Sequence, residues 1–469
     1  DPARPADARA PPPPRPPAVA RRARPGPPAR RSNFRVDQDA LARAVGALSD
    51  RVHGPASAVA DTARAWQTAV DERRTVLLNL PLDIQAAPGV SDKIRAKAAT
   101  WPPQANDEAV AALAAILHQA ARPVFIAGRG AAGARAELEQ LADECGALLA
   151  TSAVAKGLFE GNPWGLDVSG GFATPLAAEL IAAADVVVAW GASLNMWTTR
   201  HGGLVGATAT VVQIDLDPDA LGAHHRVDLG IVGDVALSAV AVRHALPAPG
   251  AGYRTEDLRE RVGREGRWRL IPYADDGDHT HIDARTATIA LDDVLPAERV
   301  LAIDSGNFMG YPSMFLSVPD QRGFCFTQAF QSIGLGLASA IGAALASPGR
   351  LPVAACGDGG FLMSIAELDT VRRLGLGMLI LVYNDDAYGA EVHHFGPGGH
   401  PLDTVRFPDT DLAAIARGHG CAAITVRREQ DLTPVARWLA GPRDVPMVVD
   451  LKVASSRPSW WLEEAFKGH

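Results

Sequence analysis

Gly357, Asp358, Gly359 and Gly360 stand between an apolar strand, PVAAC, and an amphipathic stretch, FLMSIAELDTVRRL. Glycines at such a turn let backbone amides approach an anion, and the helix that follows presents its positive N-terminus there. Asp358 adds a carboxylate at the carboxyl end of the strand, where ligands of open α/β sheets bind. The next strand, MLILVY, runs into Asn384-Asp385-Asp386 at the same edge. A right-handed crossover sets the two strands side by side, so Asp358 and Asp385 converge although they lie 385 − 358 = 27 positions apart. Mg²⁺ is commonly bound through one or two carboxylates together with substrate phosphates. The chemistry to expect is the anchoring of a diphosphate through a divalent metal.

GDGGFLMSIAELDT, with YND after the next strand, resembles the thiamine diphosphate motif of the acetolactate synthase and 2-oxo-acid decarboxylase superfamily. There GDG is followed at this spacing by a paired Asn. The resemblance implies a metal held by Asp358, Asp385 and the backbone carbonyl of Ala387, with Gly357, Gly359, Gly360 and Tyr388 against the cofactor. Asp385 departs from the usual Asn, adding negative charge while keeping an oxygen ligand. Upstream, FTQAFQSIGLGLASAIGAALASP looks like the family's Gly-rich helix. By spacing, Ile333 is then the apolar side chain that holds the cofactor's two rings in a bent V, although an apolar residue there also fits plain core packing.

Glu391 lies six residues after Asp385, where the simple 2-oxo-acid decarboxylases also carry a glutamate and acetolactate synthases generally do not. A carboxyl desolvated there would serve as a general acid, protonating the carbon that has lost CO₂; a solvated helix position is the alternative. His393 and His394 follow, a pair more often found in packing or at a surface.

The elements that must position these groups read as doubly wound parallel-sheet α/β domains. Apolar strands at 300–304, 351–356, 378–383 and 447–451 alternate with helical stretches, giving a diphosphate- and metal-binding domain over 285–455. A second α/β unit spans 106–246, with a helix at 109–121 and strands at 123–127, 186–190 and 211–215. The stretch 247–283, rich in Gly, Arg and Asp, reads as a linker carrying a short helix. Gly128, Gly130 and Gly133 spell GxGxxG after PVFIA, formally a dinucleotide fingerprint and weak alone. The region resembles the superfamily's central domain, in which some members bind FAD and many bind nothing. No FDDR-like segment follows Gly191, so a vestigial site is expected and FAD is not.

Residues 33–90, with helical pattern at 40–48 and 56–71 and a strand at 75–80, resemble the end of the family's N-terminal pyrimidine-binding domain. That domain's essential glutamate has no counterpart, since the first glutamate in the sequence is Glu72. It hydrogen-bonds the pyrimidine and assists removal of the thiazolium proton, so impaired turnover is expected of the chain as given. Residues 1–32 are a Pro/Arg-rich tail expected to be disordered: the first 31 hold 11 prolines, 8 arginines and no Ile, Leu, Phe or Trp.

Composition sets the remaining bounds. The chain has 469 residues, 47% hydrophobic and 21% charged, enough for several ordinary cores. A net charge of −8 argues against nucleic acid as the main partner. Four scattered cysteines form no CxxC pair, fitting a reducing cytoplasm. No apolar run or signal-peptide pattern points to a membrane. The resemblance implies a thiamine-diphosphate-dependent lyase or carboligase acting on a 2-oxo acid, assembled as a homodimer or homotetramer because two chains build each site. A non-catalytic thiamine diphosphate and Mg²⁺ binding protein is the rival reading; an FAD or NAD oxidoreductase built on GxGxxG is the third.

Overall fold

The computed structural model describes residues 18–22, 36–90, 101–250, 252–330 and 332–465. Two compact units divide between Trp101 and Pro102. Among the described residues no helix is long and apolar enough to cross a membrane, and the four cysteines are free thiols.

The first unit is a three-stranded parallel sheet of β1 (Ala18–Arg22), β2 (Leu48–Arg51) and β3 (Val76–Pro81), with β3 in the middle. Helices α1 (Gln38–Ala44) and α2 (Ala58–Asp71) belong to it, and Val52, Ala65, Val76 and Leu78 form its small core. The strand β1 corrects the expectation of disorder for these five residues of the tail. Strand addition draws on main-chain hydrogen bonds, which Ala-Val-Ala can supply regardless of how little the surrounding sequence could bury. The rest of the expected tail lies outside the described residues.

The second unit holds two six-stranded parallel sheets. One contains β4 (Pro123–Ala127), β5 (Leu148–Thr151), β6 (Gly165–Val168), β7 (Val186–Trp190), β8 (Thr210–Asp215) and β9 (Leu229–Val232), in the order β6-β5-β4-β7-β8-β9. Every residue of β4 and β7 is buried, as strands covered on both faces require. The stretch after β9 carries the expected short helix, α3 (Glu256–Glu265).

The other sheet contains β10 (Arg299–Ile303), β11 (Phe324–Phe326), β12 (Leu351–Gly357), β13 (Leu379–Asn384), β14 (Ala422–Val426) and β15 (Met447–Lys452), in the order β11-β10-β12-β13-β15-β14. From β10 the chain goes first to one side and then to the other, so the strand order reverses between β10 and β12. Ligands of such sheets bind outside the carboxyl ends of the strands at this reversal. Asp304 follows β10 there and Asp358 follows β12. Helix α4 (Gly336–Ala346) packs against both strands through Leu337, Ala340 and Ala344. The helical pattern after the GDGG turn resolves into two short helices, α5 (Asp358–Ser364) and α6 (Glu367–Arg373). Their break follows Ser364, whose hydroxyl bonds back to the Gly360 carbonyl at 2.9 Å, a local competitor to helix continuation.

Candidate cofactor and metal site

Gly357 at the end of β12 pairs in register with Tyr383 of β13, which brings Asp358 and Asp385 to neighbouring positions on one sheet edge. Asp358 is buried. Its Oδ1 accepts from the Gly359 N–H at 2.9 Å and its Oδ2 from the Ala387 N–H at 3.1 Å. Burial, and then the negative charge of Asp385, push its pKa well above the ordinary carboxylate range. Asp385 is likewise pushed up by burial and by the charge of Asp386, against the hydrogen bond it receives from the Asn307 side chain. Neither carboxylate is paired with Lys, Arg or His among the described residues, so the pair lacks a cation.

Glycines keep the space around this pair open. A Cβ on Gly389 would overlap Asp385 Oδ2 and stand 2.9 Å from Asn307 Nδ2. A Cβ on Gly359 would overlap the Tyr388 ring, with Cδ1 at 3.0 Å, and one on Gly360 would meet Asp304 Oδ2 at 2.5 Å and Ile333 Cγ2 at 3.3 Å. Tyr388 therefore lies on the glycine turn, and Ile333 lies against Gly360. Asp304 caps the approach to α4: both its oxygens accept the Gly334 N–H, at 3.0 and 3.1 Å. Gly334 adopts φ +91°, open to glycine and strained for other residues. Burial holds the pKa of Asp304 above the usual range against these backbone bonds.

Ala387 follows Asp386, which adopts φ +52°. Its carbonyl accepts no hydrogen bond among the described residues. Glu391 lies half-buried on helix α7 (Gly389–Phe395), and burial lowers the pKa of His393 on the same helix.

The donor set fits a divalent metal. One buried and one half-buried carboxylate, neither with a cationic partner among the described residues, and one unclaimed carbonyl are hard oxygen donors. Among the described residues no set of three or more Asp, Glu, His or Cys side chains is arranged to hold a metal unaided. Further oxygens would have to come from a bound diphosphate or water.

Asp304, Asn307 and Lys452, whose Nζ lies 3.0 Å from Asp386 Oδ1, surround the site, and motif spacing signals none of the three. In the sequence Asp304 reads only as the end of a strand, and Asn307 sits in SGNFMG, which carries no spacing signal. Lys452 ends the apolar run MVVDLK. The nearest sequence clue was a charged residue ending a strand at the ligand-binding edge.

The first two glycines of GxGxxG, Gly128 and Gly130, have a different use, while Gly133 faces open space. A Cβ on Gly128 would lie 2.6 Å from Ala192 Cα, and one on Gly130 would lie 2.8 Å from Gly191 Cα. The turns after β4 and β7 thus pack directly on each other at the point where the order of this sheet reverses.

An open parallel sheet with a glycine turn and carboxylates at the carboxyl ends of adjacent strands beside its reversal point defines a doubly wound α/β protein with a candidate anion and metal site, and sequence comparison narrows the class. Residues 304–451 match the family model for the thiamine pyrophosphate enzyme C-terminal TPP-binding domain, and residues 110–242 match that for the thiamine pyrophosphate enzyme central domain. The chain belongs to the superfamily of thiamine-diphosphate-dependent enzymes. It is 29% identical over 415 residues to a protein of Pseudomonas aeruginosa named probable 2-ketoarginine decarboxylase AruI, covering 86% of this chain and 71% of that one. It is 27% identical over 356 residues to the acetolactate synthase large subunit of Parasynechococcus marenigrum (74% and 56% covered) and 25% identical over 358 residues to protein YdaP of Bacillus subtilis (75% and 60% covered). The chain thus spans between 56% and 71% of the length of these relatives.

Proposed function

We propose that the chain works in decarboxylation or carboligation of a 2-oxo acid, with thiamine diphosphate held through Mg²⁺. The observation that carries this reading is the pair of buried Asp358 and half-buried Asp385, side by side at the carboxyl ends of β12 and β13 without a cationic partner among the described residues, next to the point where the strand order reverses. When bound, thiamine diphosphate supplies an electron sink for the carbon that loses CO₂.

The chain's own groups divide the remaining work. Asp358, Asp385 and the Ala387 carbonyl would hold the metal, whose charge would offset that of a diphosphate, and the glycine turn at 357–360 offers backbone amides to the same anion. Tyr388 closes that turn from one side. Ile333, beside Gly360, supports the cofactor rings. Glu391, on the helix that starts next to Asp385, would hold a proton for the substrate carbon. We further propose a homodimer or homotetramer, in which a second chain completes each site. FAD is not expected in the central domain, where Gly128 and Gly130 are used by backbone packing against Gly191 and Ala192.

Calorimetric titration of the chain with thiamine diphosphate, with and without Mg²⁺, tests the reading, together with a pyruvate decarboxylation assay. Uptake that depends on the metal is expected. Uptake of equal strength without metal, or none at all, overturns it.

A further inference from the structure

Lys452 ends β15, opposite Asn384 at the end of β13, and is only 2% exposed. Its Nζ lies 3.0 Å from Asp386 Oδ1 and 2.6 Å from Asp409 Oδ1. A buried ammonium persists only where it is paired, and here the partners come from both ends of one segment, residues 387–408. The ends of that segment also meet through the main chain. The Tyr388 N–H donates to the Val405 carbonyl at 2.8 Å and the Phe407 N–H to the Asp386 carbonyl at 2.7 Å. The Tyr388 and Phe407 rings meet edge to face at 4.8 Å.

Asp386 stands between the two residues assigned to the metal, and its left-handed backbone sets where the Asp385 carboxylate lies relative to the Ala387 carbonyl. Two side-chain contacts hold that conformation. Asn384 Oδ1 accepts the Asp386 N–H at 3.1 Å, and Lys452 grips the Asp386 carboxylate. Without Lys452, Asp386 would be a third negative charge beside Asp358 and Asp385 with no cation of its own.

We propose that Lys452 is a positioning residue for the cofactor site: seated between Asp386 and Asp409, it fixes the turn carrying Asp385 and Ala387 and ties down both ends of the segment that bears Glu391. The proposal rests on the cofactor reading above. Lys452 touches neither metal nor substrate in this role. It acts through Asp386 on the metal and through Asp409 on the closure of the segment.

The test uses the full 469-residue chain, with Lys452→Met and Asp409→Ala. Asp409 is largely exposed, so its variant keeps the test readable if the buried substitution prevents folding. Two quantities are measured: hydrogen exchange of the Tyr388 and Phe407 amides in metal-free protein, and the Mg²⁺-dependent affinity for thiamine diphosphate by calorimetry. Both variants should exchange those two amides at least about tenfold faster while the β12 amides stay as in the parent. Affinity should fall by about tenfold or more, the scale seen when groups that orient metal ligands are removed. In an Asp386→Asn background the further loss on adding Lys452→Met should shrink, as expected of residues acting in series. A parent that takes up no cofactor overturns the cofactor reading. A parent that binds, with variants that exchange and bind like it, overturns the role of Lys452 alone. Faster exchange with unchanged affinity reduces Lys452 to a structural tether and equally overturns the proposal.

Discussion

The N–H of Ala387 donates to Oδ2 of Asp358 at 3.1 Å across 29 residues of sequence. This bond joins the turn after β12 to the turn after β13, so the donors assigned to the metal form one connected unit. Replacing Asp358 with Ala removes a proposed metal ligand and the acceptor that fixes Ala387. Affinity for thiamine diphosphate in the presence of Mg²⁺ should drop by about 100-fold or more, equivalent to about 2.7 kcal/mol. Calorimetry on the variant, with circular dichroism to verify folding, reads the effect. Parent-like affinity would place the metal elsewhere.

The same pair sets a pH dependence whose sign follows from the direction of its shifts. Both carboxyls titrate higher in the folded chain than in an unfolded one. The metal-free fold therefore binds protons more tightly than the unfolded chain does, and this contribution is lost as pH rises from the ordinary carboxylate range through the raised values. A divalent metal competes with those protons, so its stabilisation grows over the same window. The gain in Tm on adding Mg²⁺ and thiamine diphosphate should be larger at pH 8 than at pH 5. An equal gain at both would show that these carboxyls do not release protons to the metal.

Glu391 offers a test of product choice. It is half-buried on α7, three residues past Tyr388, whose carbonyl accepts the Glu391 N–H at 3.1 Å. A proton donor near the reacting carbon favours release of an aldehyde over attack on a second carbonyl. In protein that turns over a 2-oxo acid, Glu391→Gln should shift product from aldehyde toward acyloin, measured by chromatography of the two. An unchanged ratio would remove Glu391 from proton delivery.

What could be read from the sequence follows from how local its causes are. The β12 strand, glycine turn and β13 strand form one contiguous stretch, so residue types and spacing disclose the turn and its carboxylates together. Strands β4 and β7 end where continuous apolar runs end. Strand β11, three residues long in FCF, is too short for any period to register. The contacts of Lys452 with Asp386 and Asp409 span 66 and 43 residues, and the bond of Asp304 to Gly334 spans 30. Such pairings are set by strand order, which spacing along one chain does not encode. Strand β1 was hidden for another reason: composition averaged over 31 residues masked five that only needed to offer main-chain bonds to β3.

Gly389 isolates the space requirement of the site from its chemistry. It is buried at the start of α7, and a Cβ there would overlap Asp385 Oδ2 and approach Asn307 Nδ2 to 2.9 Å. Alanine suits a helix position better than glycine, so local propensity alone favours the substitution by up to about 1 kcal/mol. Packing opposes it, because forcing a methyl into an occupied space costs about 1–3 kcal/mol and the carboxylate is the group that must move. Displacing Asp385 breaks its hydrogen bond with the Asn307 amide and withdraws one proposed metal ligand. Gly389→Ala should therefore leave Tm within a few degrees of the parent while lowering metal-dependent cofactor affinity by about tenfold or more, an effect of about 1.4 kcal/mol. Gly342, on the α4 helix, has no heavy atom within 4 Å of its Cβ position and serves as the control: Gly342→Ala should hold or raise Tm and leave affinity unchanged. Equal affinities for the two variants in calorimetric titration would show that Asp385 need not stay where Gly389 leaves room for it.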